Sequence, residues 1–343
     1  MNYEAQALLN EAQEELNMEN DGLTLIELQG YVGSVIDDSK VYIDDDISPN
    51  RATATEYFMG EPFGNEEAGS STIVDMTVRD TVGKIMPALM RVFFSTENVV
   101  QFSARSEGDT IFAEMATDYV NYVLNNDNNL YLELQSAWQD ALVRKTGIVK
   151  YWWDSNGEDE SHEMTGINEE ALIALQSDEE IEIEILTDNG QFFDVKVTHS
   201  TKDGRVRIKA LPCEEFLIDR SATSLEDAIM TAHRSMLTVS ELVQMGYDAE
   251  MVESMSSGVD ELDNNVERRT RNPAALNYGF RTQEATRLVE YVEVYMKVDW
   301  NNDGIAELRK ICCMGSSYEI VHHEAWDSPP FAVFNPLPDS HVF

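Results

Sequence analysis

The stretch that decides the fold runs from Arg51 to Asp154, where a Gly60-Glu61-Pro62-Phe63-Gly64 turn leads through apolar helices to Lys145-Thr146-Gly147-Ile148-Val149-Lys150-Tyr151-Trp152-Trp153. Up to Gly147 the apolar residues recur at helical spacing, and after it the period becomes two. Val74 to Phe94 carries Val78, Val82, Ile85, Leu89, Val92 and Phe93. Pro87 inside it is expected to kink or split the helix, because its ring removes a backbone donor and clashes with the preceding turn. Asp109 is placed to cap the next helix, where Ile111, Met115, Tyr119 and Val123 recur beside Phe112, Ala116 and Val120. So wide an apolar face is expected to be buried. After Asn125-Asn126-Asp127-Asn128-Asn129, a third helix aligns Leu134, Trp138 and Leu142. It sets Arg144 and Lys145 near the negative end of its dipole and stops at Gly147.

Upstream, Ala5 to Met18 has helical spacing with glutamates opposite the apolar stripe, and a second helix spans Thr24 to about Asp38. Gly30 and Gly33 each cost that helix roughly 1 kcal/mol relative to Ala. Ser48-Pro49-Asn50 then breaks the chain before a short helix, Ala52 to Phe58, ending at Gly60. Downstream, Ile148 to Trp153 is a strand and Ser155 to Ser161 a polar, exposed loop. A short helix, Glu169 to Gln176, precedes a meander of Ile181 to Leu186, Gln191 to Thr198 and Arg205 to Leu211, turning at Thr187-Asp188-Asn189-Gly190 and Thr201-Lys202-Asp203-Gly204. Thr238-Val239-Ser240-Glu241 is a capping box, with Leu237 and Leu242 as a hydrophobic staple and Gly246 closing the helix. Ser254 to Thr286 reads as a polar loop, and Leu288 to Val298 with Ile305 to Met314 as a hairpin. The fold class is therefore α+β: an N-terminal helical region, 1–147, followed by antiparallel β-hairpins and a meander with short helices, 148–343.

At 343 residues the length suggests two domains, at roughly 150 residues each. Charge is the outlying quantity, with 64 acidic against 24 basic residues and a net charge of -40. Such a chain does not bind DNA by the ordinary route, in which Lys and Arg displace counterions from phosphates. Acidity also serves solubility or a salty habitat. Cys213, Cys312 and Cys313 offer neither a disulfide framework nor metal-ligand spacing, which fits a reducing cytoplasm. The first residues lack a basic region followed by an apolar one, so no signal peptide is read there. The most apolar window, Ile85 to Phe94, is far shorter than the roughly 20 residues that cross a bilayer.

No motif assigns chemistry. Asp299-Trp300-Asn301-Asn302-Asp303-Gly304 copies the first half of a calcium loop, but Lys310 stands where the bidentate Glu belongs and the flanks read as strands. No phosphate-cradling Gly-x-x-x-x-Gly-Lys-Ser/Thr loop exists, and Gly69-Ser70-Ser71 and Gly315-Ser316-Ser317 lack the frame of a nucleophile elbow. His162-Glu163 and His322-His323-Glu324 lack ligand spacing. Tyr151, Trp152 and Trp153 cannot form one base-stacking platform, since alternate strand residues face opposite sides. They are expected in the core, with a subunit interface as the alternative. Arg268-Arg269-Thr270-Arg271 is expected in a solvated loop, with DNA phosphate or an acidic neighbouring subunit as the alternative. No catalytic, cofactor-binding or metal residue is assigned, no cofactor is expected, and the chain is not read as an enzyme.

Taken with Pro212-Cys213-Glu214-Glu215-Phe216-Leu217-Ile218-Asp219-Arg220, the Arg51–Asp154 run resembles the portal proteins of short-tailed tailed bacteriophages. The resemblance implies a structural subunit of a dodecameric homo-oligomer ring at the unique capsid vertex, with this region in its outer wing. It implies a conduit for packaging and ejection of double-stranded DNA without sequence-specific binding. The implied partners are a terminase packaging motor, capsid and scaffold proteins and tail adaptor proteins, with no membrane. The virion is the expected location, after assembly in the bacterial host cytoplasm. Phe331 to Phe343 stops on apolar residues, so the chain is expected to be an N-terminal fragment truncated before the channel-forming stem. Two alternatives from other classes are a calcium-dependent structural or binding module resting on Asp299 to Gly304, and a hydrolase built on His322, His323 and a distant carboxylate.

Overall fold

The computed structural model describes residues 22–62, 64, 67, 69, 71, 73–96, 98–154, 159–167, 181–188, 193–200, 204–256, 265–271 and 283–336. The expected helices Ala5 to Met18 and Glu169 to Gln176, the tips of both meander turns and residues 337–343 fall outside them. The architecture is α+β. Helices α1 (Leu25–Val41), α2 (Ser48–Met59), α3 (Thr77–Phe94), α4 (Thr110–Tyr122) and α5 (Leu130–Arg144) precede antiparallel sheets with short helices between strands. The chain forms two compact units, one of residues 1–96, 131–150 and 210–343, the other of 97–130 and 151–209.

In the first unit α1 starts at a capping box absent from the sequence reading. Thr24 N donates to Glu27 Oε2 at 3.0 Å, and Glu27 N donates to Thr24 Oγ1 at 3.3 Å. Its stripe of Leu28, Val32 and Ile36 is fully buried. There it meets the five-stranded antiparallel sheet β10-β9-β8-β7-β6, made of β6 (Phe216–Ile218), β7 (Met230–Thr238), β8 (Leu288–Val298), β9 (Glu307–Met314) and β10 (Glu319–Ala325). Strand β8 sits mid-sheet, and parity divides its side chains between two faces. Val292, Val294, Met296 and Val298 join the cluster of α1, while Val289 and Tyr291 meet Val239 and Leu242 of α6 (Val239–Gln244) and Val252 of α7 (Ala249–Ser254). Coverage of both faces is why β8 reads as a nearly continuous apolar run. The box ahead of α6 forms as read, with Thr238 N donating to Glu241 Oε2 at 2.7 Å.

Ser48-Pro49-Asn50 does not break the chain. A π-helical segment, Tyr42–Ile47, carries α1 into α2, and Pro49 lies in the first turn of α2, the part of a helix that best tolerates proline. Gly60 ends α2 with φ 76°, and a Cβ there would lie 2.2 Å from Met76 Sδ. Helix α3 runs unbroken through Pro87. Gly83, whose carbonyl loses its donor, and Pro87 itself are both exposed, so solvent takes over that bond. The helix-to-strand corner needs glycine for space: a Cβ on Gly147 would come within 1.9 Å of the Ala137 carbonyl oxygen. There β1 (Gly147–Asp154) begins, within a sheet ordered β11-β1-β5, and Gly147 pairs with Phe334 of β11 (Phe331–Phe334).

In the second unit two readings are corrected. Asp109 precedes α4 but does not cap it, because its carboxylate accepts from Ser106 Oγ at 2.8 Å instead. The apolar face of α4 is not buried: Ile111 is 68% exposed, Phe112 71%, Met115 62% and Tyr119 67%. The buried side is polar. Asn121 Oδ1 accepts from Val99 N (2.8 Å) and Val100 N (3.2 Å), its Nδ2 donates to Val100 O (2.7 Å), and Thr117 Oγ1 accepts from Phe102 N (3.0 Å). The backbone groups of the extended segment before α4 need partners, and this demand outranks the apolar pattern in orienting the helix.

The expected meander is also rearranged. Strands β2 (Asp159–Ile167), β3 (Ile181–Asp188) and β4 (Phe193–Ser200) form a sheet ordered β2-β4-β3, whereas β5 (Arg205–Leu211) joins β1 and β11. Residues 159–161 of the expected polar loop thus lie in strand β2, hidden by a sequence, DESHEMTGI, with almost no apolar alternation. Val195 and Val197 of β4 form the small core of that sheet.

Candidate functional site

Four segments of the first unit converge on a buried ionic cluster: Arg51 from α2, Asp140 and Arg144 from α5, Cys213 and Glu214 from a 3₁₀ turn, and Glu267 and Arg271 from α8 (Val266–Arg271). Glu267 is fully buried; its Oε1 lies 3.5 Å from Arg144 Nε and its Oε2 3.8 Å from Arg51 Nη1. Ser48 Oγ donates to the same carboxylate at 3.4 Å. Arg144 also pairs with Asp140 and donates to Thr55 Oγ1 at 3.2 Å, while Arg271 pairs with Glu214. A cavity of about 240 Å³ opens beside them, lined by Thr55, Phe58, Gln139, Asp140, Arg144 and Arg271.

Burial pushes the Glu267 carboxyl up to about 7, against the pull of Arg51 and Arg144. Burial also raises Asp140 and Glu214, and it pushes the Cys213 thiol up to about 12. That thiol donates to Thr146 O at 3.0 Å and stays protonated at neutral pH, so it is not a nucleophile. A perturbed carboxyl is a signature of active sites, but ion-pair networks produce it too. Here Arg51 and Arg144 reach Glu267 from other segments and Arg271 reaches Glu214, so the arrangement ties α2, α5, α8 and the 213–215 turn together.

The arginine run is therefore not a solvated loop. It lies in α8, where Arg268 faces Glu215 at 3.7 Å and Arg271 reaches Glu214. The Pro212–Arg220 block is a structural corner. Phe216, Leu217 and Ile218 are buried, and Asp219 Oδ1 accepts from Ile229 N (2.8 Å) and Met230 N (3.2 Å). A second group joins Lys150 Nζ to Glu293 Oε2 at 2.5 Å, beside His233, whose burial lowers its proton affinity. Fully buried Arg234 pairs with Asp44 of the π segment and donates to Glu214 O at 2.7 Å.

Asp299 to Gly304 closes the β8–β9 hairpin. The Asp299 carboxylate accepts from Asp303 N at 3.0 Å and Gly304 N at 2.8 Å, with Asn302 at φ 55° and Gly304 at φ 85°. Lys310 lies in β9, 3.8 Å from Glu293. Among the described residues no group of three or more His, Cys, Asp or Glu is placed to hold a metal. His322 faces Glu324 at 3.4 Å, and His323 stacks near Trp300 and Arg309. Tyr151, Trp152 and Trp153 are not in the core: they are 43%, 37% and 62% exposed. Trp153 lies over Gly204, where a Cβ would meet its Nε1 at 2.3 Å. All three cysteines are free and buried.

Residues 28–343 match the family described as phage SU10 portal protein, and the chain belongs to that family. Phage portal proteins are structural components of the capsid vertex that form oligomeric rings. No curated protein gives a significant match. Among the described residues no helix is long and apolar enough to cross a membrane.

Proposed function

We propose that this chain is a wing subunit of a dodecameric portal ring through which double-stranded DNA is packaged and ejected. The ring docks the terminase motor, contacts capsid and scaffold proteins, and receives tail adaptor proteins after assembly in the host cytoplasm. The observation that carries this reading is the family match across residues 28–343. Electrostatics supports it. The net charge is -40, and Lys40, Arg51, Arg144, Lys150, Arg234 and Arg309 are all buried, so positive charge is withdrawn from the surface. Duplex DNA that approaches such surfaces meets like charge and gains no counterion release, so the wing does not hold it.

Purified rings imaged by negative stain should show a central hole and should release duplex DNA freely at low salt. Particles without a hole would remove the ring. Tight binding that weakens steeply with added salt would remove the repulsion.

A further inference from the structure

We propose that α3 and α4 are the two halves of a head-to-tail contact between neighbouring copies of this chain. This inference rests on the ring reading above and names the surfaces that would build it. The apolar stripe of α4 faces solvent at Ile111, Phe112, Met115, Tyr119 and Tyr122, the last 56% exposed. From the usual size of such side chains the stripe presents roughly 500 Å². That is more than half of the ~800 Å² each partner contributes to a standard interface, and patches this large mark interaction sites on soluble proteins. Helix α3 carries a matching stripe at seven-residue spacing, Val78, Ile85 and Val92, which are 46%, 39% and 72% exposed.

Charge decides which stripe meets which. Helix α3 exposes Arg79, Lys84 and Arg91 against a single acid, Asp80, whereas α4 exposes Glu114 and Asp118 and contains no basic residue. In a chain of net charge -40, two copies repel unless their charges are locally complementary. Pairing α3 with α3, or α4 with α4, as a two-fold dimer does, sets like charges together. Pairing α3 of one copy with α4 of the next sets basic against acidic, and such a heterologous contact repeats around a closed ring.

Charge reversal tests the contact in the full chain, read by mass photometry. Lys84→Glu with Arg91→Glu gives one variant, and Glu114→Lys with Asp118→Lys a second. Each alone should assemble at least tenfold more weakly than the parent. Mixing the two should restore assembly, because each then finds its complement on the other, and restoration also shows that both are folded. A crosslinking variant, Val92→Cys with Tyr119→Cys, places thiols only at exposed positions and should give a ladder of covalent multimers on oxidation. Reversal variants that assemble like the parent would overturn the contact and leave the ring intact, as would oxidised chains that remain monomeric on a denaturing gel. Restoration on one chain carrying all four changes, but not on mixing, would show the helices pairing within a chain and overturn it too. A parent that is monomeric throughout would remove the ring reading and the contact together.

Discussion

Glu267 shows how one carboxyl couples this molecule to pH. Its proton affinity rises from 4.5 to about 7 because burial outweighs Arg51 and Arg144. Between those values the folded state keeps a proton that the unfolded state has released. Stability therefore falls as pH rises through that window and levels off above it. A shift of this size corresponds to on the order of 3 kcal/mol. His233, kept neutral by burial, acts in the opposite sense below its ordinary value of 6.5, as does Glu293 below its own of 4.5, where burial is outweighed by Lys150, Tyr295 and Lys310 together. Replacing Glu267 with Gln isolates one contribution. The parent-minus-variant difference in unfolding free energy should become more favourable to the parent as pH drops from 7 to 5 in urea titrations, and a difference independent of pH would refute this account.

Among the elements, α4 is held by its polar side. Asn121→Ala removes the partners of Val99 N and Val100 N, and leaving such groups unmet should cost about 2–3 kcal/mol. Hydrogen exchange at those two amides should accelerate in the variant, and unchanged protection would show that the clamp is not what holds the segment. Helix α4 also marks where sequence legibility stopped. Its existence was written in the recurrence of Ile111, Met115 and Tyr119, but its orientation depended on backbone groups 15 to 22 residues earlier, which leave no periodic trace. Strands β8 and β9 and the box at Thr238 were readable because burial on both faces and local capping act within a few residues. Strand β2, with acids at its start and almost no apolar alternation, and β5, which leaves β4 for β1, were not, since pairing across the chain decided both. The ionic cluster was equally hidden: Arg51, Asp140, Glu214 and Glu267 are far apart in sequence, and only the Arg268–Arg271 run signalled one corner of it.

At the level of the whole molecule, a net charge of -40 opposes compactness. Salt shortens the reach of that repulsion from about 30 Å at 0.01 M to about 8 Å at 0.15 M. The melting temperature should therefore climb between these concentrations in a scanning fluorimetry series, and a fall would mean that attractive pairs dominate instead. Topology sets a further condition, on how the protein is made. Strand β1 is translated early, yet its neighbour β11 pairs with it from Gly147↔Phe334 to Lys150↔Phe331, so 334 − 147 = 187 residues must follow before the partner emerges. At ordinary elongation rates the ribosome needs roughly 10–40 s for that span. Through all of it the nascent chain carries an open strand edge, the kind of template that invites misassociation and chaperone capture.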